Sequence, residues 1–231
     1  MSPRRLALDA RLLHTEMVAT LREAVLLPLD LGTQVPDLAA DEDVVVLLHG
    51  FLASGGVFRP MRARLEAEGF RVASFSYAPG RTIRSVAHQL KEMVDLIPRR
   101  ARVHVVGHSF GGVVARDYVQ NLGGHERVTQ TVSLASPFHG TPRARRFRWL
   151  VRDLHPESRF LEGIRGCPPH VRVPHLSIVA GGDRMIPPSS ARLPGFPYIT
   201  LPDRGHNTLL FDAEVIRILL ARLVRAGRAA A

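Results

Sequence analysis

Between two apolar runs the chain reads Gly107-His108-Ser109-Phe110-Gly111-Gly112, and few folds accommodate that hexapeptide in that setting. Val103 to Val106 before it is short, continuous and β-branched, as a strand buried on both faces requires, while Val113 to Val119 after it reads as helix. The link between them turns sharply. Glycines at 107, 111 and 112 let backbone approach backbone there and let the helix pack near the strand. A serine at the apex stands clear of the sheet beside the N–H groups of the helix start, where a hydroxyl, weak at its own pKa, becomes a usable nucleophile once a histidine is in reach. The plainer reading of Ser109, a helix cap, explains neither the flanking glycines nor the strand before them.

The remaining pattern extends the same alternation. Val44 to Leu48, Arg71 to Phe75, Val128 to Leu134, Leu176 to Val179 and Tyr198 to Leu201 read as strands. Helical periods fill Phe58 to Glu68, stopped by Gly69, and Ile83 to Ile97, stopped by Pro98; a last helix opens at Asp212. Strands alternating with helices predict an α/β fold, a mostly parallel central sheet with helices on both faces and its active edge at the carboxyl ends of the strands. The 231 residues suit one domain. Leu13, Met17, Leu21 and Val25 form an apolar stripe, which predicts a helix over the first 27 residues lying against that domain. Residues 1–43 are therefore read as a helix and connector packed on a domain of residues 44–231.

From Pro142 to Pro174 no strand is legible, and the stretch is too long for an ordinary connection. Its apolar residues, Phe147, Trp149, Leu150, Val151, Phe160, Leu161 and Ile164, predict a lid-like insertion over the active edge. Arg143, Arg145, Arg146, Arg148 and Arg152 crowd around its aromatics, so this segment is either a solvated face or a contact for an anionic membrane surface. Net charge is +10, with Lys91 the single lysine. That skew reads as a basic surface; no nucleic-acid-binding signature accompanies it. One cysteine, Cys167, excludes an intramolecular disulfide and a thiolate metal cluster. Charged residues interrupt the N-terminal stretch and no apolar run reaches the length of a signal or a membrane span, which predicts a cytoplasmic protein.

The serine needs a base, and His206 in Gly205-His206-Asn207 lies after the last strand and before the final helix, where the order nucleophile, acid, histidine puts it. His49 and His108 adjoin motif glycines and read as turn-shaping residues, and His104 lies inside a strand. Asp183, in the loop after Val179, is the expected acid; Asp203, three residues from His206, is its rival. Backbone N–H groups of Phe110, at the helix start, and of Phe51, in His49-Gly50-Phe51, are the expected oxyanion donors.

With these residues in view, the chain resembles a bacterial lipase or esterase of the α/β-hydrolase superfamily, in its triacylglycerol lipase-like branch. Leu47-Leu48-His49-Gly50-Phe51 is similar to the oxyanion strand of those enzymes, Val106 to Gly112 to their nucleophile elbow, and Leu134-Ala135-Ser136-Pro137-Phe138-His139-Gly140-Thr141 to a strand end typical of triacylglycerol lipases. Pro156 to Leu161 is similar to a segment that follows it. The resemblance implies a ping-pong acyl transfer through Ser109, His206 and Asp183 on an acyl ester or lipid, with Phe138, Phe160 and Leu161 against the substrate. It implies no cofactor, and no acidic cluster matches the calcium site of some relatives, so no metal is expected. Thioester hydrolysis and acyl transfer use the same elbow and remain open alternatives, whereas three intact triad candidates argue against a binding protein that has lost catalysis.

Overall fold

The computed structural model describes residues 3–36, 42–147, 152–166 and 173–229. Strands β1 (Asp43–Leu48), β2 (Arg71–Ser74), β3 (Arg102–His108), β4 (Val128–Leu134), β5 (His175–Ala180) and β6 (Tyr198–Leu201) form one sheet in the order β2-β1-β3-β4-β5-β6. Every neighbouring pair is parallel. Between and around them run α1 (Pro3–Leu26), α2 (Arg59–Ala67), α3 (Ile83–Asp95), α4 (Phe110–Asn121), α5 (Arg159–Arg165) and α6 (Ala213–Ala229).

Side chains alternate across a strand, so β1 divides its valines and leucines between two cores. Val44, Val46 and Leu48 join the core formed with α3, α4 and α5; Val45 and Leu47 join the one formed with α2 and α6. Both faces of β1 are thus dry, which is why its sequence is uninterrupted rather than alternating. Chain order departs from β1 in both directions, β2 on one side and β3 on the other. The carboxyl ends of β1 and β3 therefore flank the crevice that such a reversal opens, the usual ligand position in a sheet of this kind. Leu48 pairs with Gly107, so His49-Gly50-Phe51 and His108-Ser109 leave the sheet side by side.

The N-terminal helix forms over the expected residues but docks through the opposite face. Leu13, Met17, Leu21 and Val25 are 50%, 57%, 61% and 72% exposed. The side that meets the domain carries Leu12, Glu16, Ala19 and Glu23, with Ala19 buried and the others half-buried. Hydrogen bonds that Glu16 accepts from the loop after β6 decide the orientation, a contact that hydrophobic periodicity alone does not register.

The insertion after β4 also differs from its expected form where it is described. Short helical turns at Pro142–Phe147 and Arg152–Leu154 lead into α5. Leu154, Leu161 and Ile164 are buried in the core shared with α3 and α4. The Gln120 side chain donates to the Gly163 carbonyl at 2.7 Å, and the Asp153 carboxylate accepts the first N–H of α3 at 3.3 Å. This part of the segment is an outer layer of the domain, because its apolar residues find a groove beside α4 to fill. The side chains of Arg145, Arg146 and Phe147, and all of Arg148, Trp149, Leu150, Val151 and Cys167, lie outside the described residues.

Candidate active site

At the end of β3 the backbone reverses into α4 within one residue. Ser109 takes φ 52° and ψ −118°, a conformation that a side-chain-bearing residue adopts only under strain, costing about 1–3 kcal/mol. Its N–H donates to the Leu134 carbonyl at 2.8 Å, fixing the turn to β4. A Cβ at Gly111 would stand 2.3 Å from the Leu48 carbonyl oxygen, so only glycine lets α4 start this close to β1. Ser109 is buried apart from 8% of its surface, and Phe110 begins the helix, where the first N–H groups have no partner within it.

Gly50 lies directly across from the serine: a Cβ there would be 3.3 Å from the Ser109 Cβ and 3.0 Å from His108 Nδ1. Phe51, which follows, is half-buried, its ring packed on the core beside α3 and α4. His49 is clamped to hold this loop. Its ring stacks on Tyr77 at 3.8 Å, its Nε2 accepts the Tyr77 N–H at 3.2 Å, and Nδ1–H donates to the Gly50 carbonyl at 2.7 Å. The Tyr77 hydroxyl donates to the His49 carbonyl. Burial pulls the His49 imidazole down to about 4 and pushes the Tyr77 phenol well above its usual range, so both remain neutral at physiological pH.

His206 arrives from the loop after β6. Its Nδ1 is 2.6 Å from Asp183 Oδ2, and the side chains of both are almost wholly buried. The other Asp183 oxygen accepts the N–H groups of Met185 and Ile186 at 2.7 and 2.8 Å, which holds the carboxylate in one orientation. Two residues at the start of the segment after β4 brace that turn. Thr141 Oγ1 donates to the Met185 carbonyl at 2.7 Å, and the Arg143 guanidinium donates to the Arg184 carbonyl. Asp203 is exposed; it is Asp183 that meets the histidine.

The histidine sits against the elbow. His108, next to Ser109, donates through Nε2 to the His206 carbonyl at 3.2 Å, and the two rings are 4.7 Å apart. Burial, with the charge of His206 adding to it, drives the His108 imidazole well below its usual value. A neutral neighbour of this kind leaves room for a positive charge on His206. With Nδ1–H on the carboxylate, the other ring nitrogen of His206, Nε2, carries no proton.

A residue that the motif reading misses is Glu16. Its Oε1 accepts the Asn207 N–H at 2.8 Å, and its Oε2 accepts the Thr208 N–H at 3.0 Å and hydroxyl at 2.8 Å. A Cβ at Gly205 would lie 2.2 Å from that carboxylate, so the loop before His206 is pressed onto α1. Glu23, a further two turns along, is buried enough to raise its carboxyl; the charge of His206 opposes that shift and Glu16 adds to it. The sequence signal was the seven-residue recurrence of Asp9, Glu16 and Glu23, which puts all three on one face of the helix.

The three residues expected against the substrate are placed differently from one another. Phe138 and Leu161 are fully buried in the core, Phe138 edge-on to His175 at 5.6 Å. Phe160 is half-buried and borders a cavity of about 740 Å³ whose described lining, Arg152, Asp153, His155, Glu157, Ser158 and Arg159, is polar.

The order of the sheet, the turn at Ser109 and the acid–histidine pair define an α/β hydrolase. Solved structures agree on the fold. The mature lipase of Bacillus licheniformis superposes with a TM-score of 0.66 at 16% identity, covering 82% of this chain and 95% of that one. An esterase from Exiguobacterium antarcticum gives 0.60 at 18%, covering 83% and 95%. Mouse alpha/beta hydrolase domain-containing protein 10 gives 0.60 at 13%, covering 86% and 95%. No curated protein sequence matches significantly. The profile of the family described as palmitoyl protein thioesterase matches residues 44–164, and the chain belongs to that family. The matched span holds β1 to α5, with the elbow and the Gly50 loop; Asp183, His206 and α1 lie outside it.

Proposed function

We propose that this protein is a serine hydrolase that cleaves acyl esters through Ser109, His206 and Asp183, with the Phe51 and Phe110 N–H groups as oxyanion donors. The observation that carries the reading is the 2.6 Å bond between Asp183 and His206, made where His206 packs against the residue preceding Ser109. His206 Nε2 takes the Ser109 proton as Oγ bonds to the carbonyl carbon, and the carbonyl electron pair moves onto oxygen. Donors fixed in advance at that oxygen contribute about 3 kcal/mol each to the barrier reduction. Collapse of the intermediate breaks the bond to the leaving group, which takes the proton from His206. Water then gives a proton to His206 and attacks the acyl carbon; the bond to Oγ breaks, His206 returns its proton to Oγ, and the acid leaves. Asp183 stays ionised throughout, holding the Nδ1–H tautomer and the imidazolium.

Thioester hydrolysis is the second reading, favoured by membership of the palmitoyl protein thioesterase family. The same groups serve it, with a thiolate leaving that needs less help from His206. A panel of nitrophenyl esters from acetyl to palmitoyl, run beside matched acyl thioesters and beside Ser109→Ala, tests both. Turnover of esters by the wild type and not by the variant is expected; kcat/KM consistently higher on thioesters would select the second reading, and hydrolysis of neither class would refute both.

A further inference from the structure

The helix that braces the His206 loop leaves its other side bare. At 3.6 residues per turn, Leu13, Met17, Leu21 and Val25 project together, with Ala10 and Ala24 among them. No acidic or basic side chain interrupts this face over Ala10–Val25; His14 is its only titratable group. The chain leaving the helix continues the exposure with Leu27 and Leu31. Along one flank a largely apolar groove of about 460 Å³ runs between α1 and the body, lined by Val18, Leu21, Val25, Leu26, Pro60 and Phe211, with Arg22 among them.

Charge is sorted around this face. Asp9, Glu16 and Glu23 are all on the docked side, half-buried. Arg11 and Arg22, three turns apart, border the apolar face and are exposed, Arg22 lying over the Phe211 ring at 6.0 Å. A helix with an apolar strip, arginines at the edge and its acids turned away is matched to a surface that is apolar within and negative at its rim. A second protein copy would present the same positive border and repel it.

We propose that the outward face of α1 docks on anionic lipid, with the leucine, methionine and valine side chains entering the acyl boundary and Arg11 and Arg22 at the headgroups. Docking sets the bilayer against the helix whose inner face holds Asn207 and Thr208, the two residues that follow His206.

Flotation with phosphatidylcholine vesicles, with and without phosphatidylglycerol, tests the assignment using the intact chain. The wild type is expected to bind the anionic vesicles and not the neutral ones, with binding falling as salt is raised. Arg11→Gln together with Arg22→Gln should weaken it roughly fivefold per arginine removed. The triple variant Leu13→Gln, Met17→Gln, Leu21→Gln, changed only at exposed positions, should lose vesicle binding while keeping wild-type turnover of a water-soluble acetyl ester. Equal binding to both vesicle types overturns the proposal. So does anionic binding that survives the triple change but is lost on replacing Arg143 and Arg152, or a dimer in sedimentation that the triple variant abolishes.

Discussion

The Glu16 carboxylate accepts the backbone N–H of Asn207 at 2.8 Å, 191 positions further along the chain, one residue beyond the histidine proposed as the base. A second oxygen takes both the N–H and the hydroxyl of Thr208. Hydrogen bonds to a charged acceptor contribute about 1.5–3 kcal/mol each, enough to fix the entry angle of the His206 loop.

Glu16→Ala should therefore lower kcat about tenfold with little change in KM, since the residue acts through the loop and touches no substrate. Glu16→Gln keeps two acceptor lone pairs on one oxygen and should recover part of that loss. A fall in thermal stability with kcat unchanged in the surviving folded protein would reduce Glu16 to a structural contact.

Gly50 and Gly111 separate catalytic from folding effects. A methyl at Gly50 meets side-chain atoms, His108 Nδ1 at 3.0 Å and the Ser109 Cβ at 3.3 Å, so Gly50→Ala should fold and lose about a hundredfold in kcat through a displaced donor loop. At Gly111 the methyl meets main-chain oxygen at 2.3 Å, and Gly111→Ala should fail to accumulate as folded protein. Circular dichroism and ester kinetics on the two variants check both halves; a fully active Gly50→Ala would remove the loop from the oxyanion site.

Much of this arrangement is legible in the sequence, for identifiable reasons. The strand β3, the turn at Ser109 and α4 are readable because glycines, valines and the serine each answer a local demand. Asp183 and His206 are readable from chain order after β5 and β6. The face of α1 is not: Leu13, Met17, Leu21 and Val25 satisfy the same periodicity whether they meet a core or solvent, and the polar bonds that choose between them join residues at opposite ends of the chain. Leu161 and Ile164 are similar, since apolar spacing in the insertion does not say whether a groove beside α4 awaits them. Phe138, expected against the substrate from the resemblance alone, has its ring in the core.

Acid should destabilise the fold through its buried histidines. Burial lowers His49 to about 4 and His175 to about 3, and lowers His104 and His108 as well. Each folded value is below the unfolded one near 6.5, so the unfolded chain binds more protons in between. Their stabilising contribution is complete above pH about 6.5 and is lost as pH falls towards those folded values, at up to about 1.4 kcal/mol per pH unit for each histidine. Urea midpoints measured from pH 7.5 to 4.5 should drop steadily below 6.5; a flat profile would mean that these rings are not held neutral.

The acid assignment is tested by a pair of substitutions. Asp183→Asn keeps the shape but reverses the tautomer preference of His206, and should cost on the order of 10⁴ in kcat. Asp203→Asn, at an exposed position, should leave turnover within about twofold of wild type. The opposite ranking would transfer the role to Asp203.

Whether Ser109 is the group that carries the acyl chain is best read directly, by mass spectrometry of the protein quenched during turnover of a slow nitrophenyl ester and digested to peptides. The account predicts one acyl adduct, on Ser109, formed in wild type and in Asp203→Asn and reduced at least a thousandfold in rate in His206→Ala. An adduct on another residue, or acylation of Ser109 at an undiminished rate without His206, would contradict it.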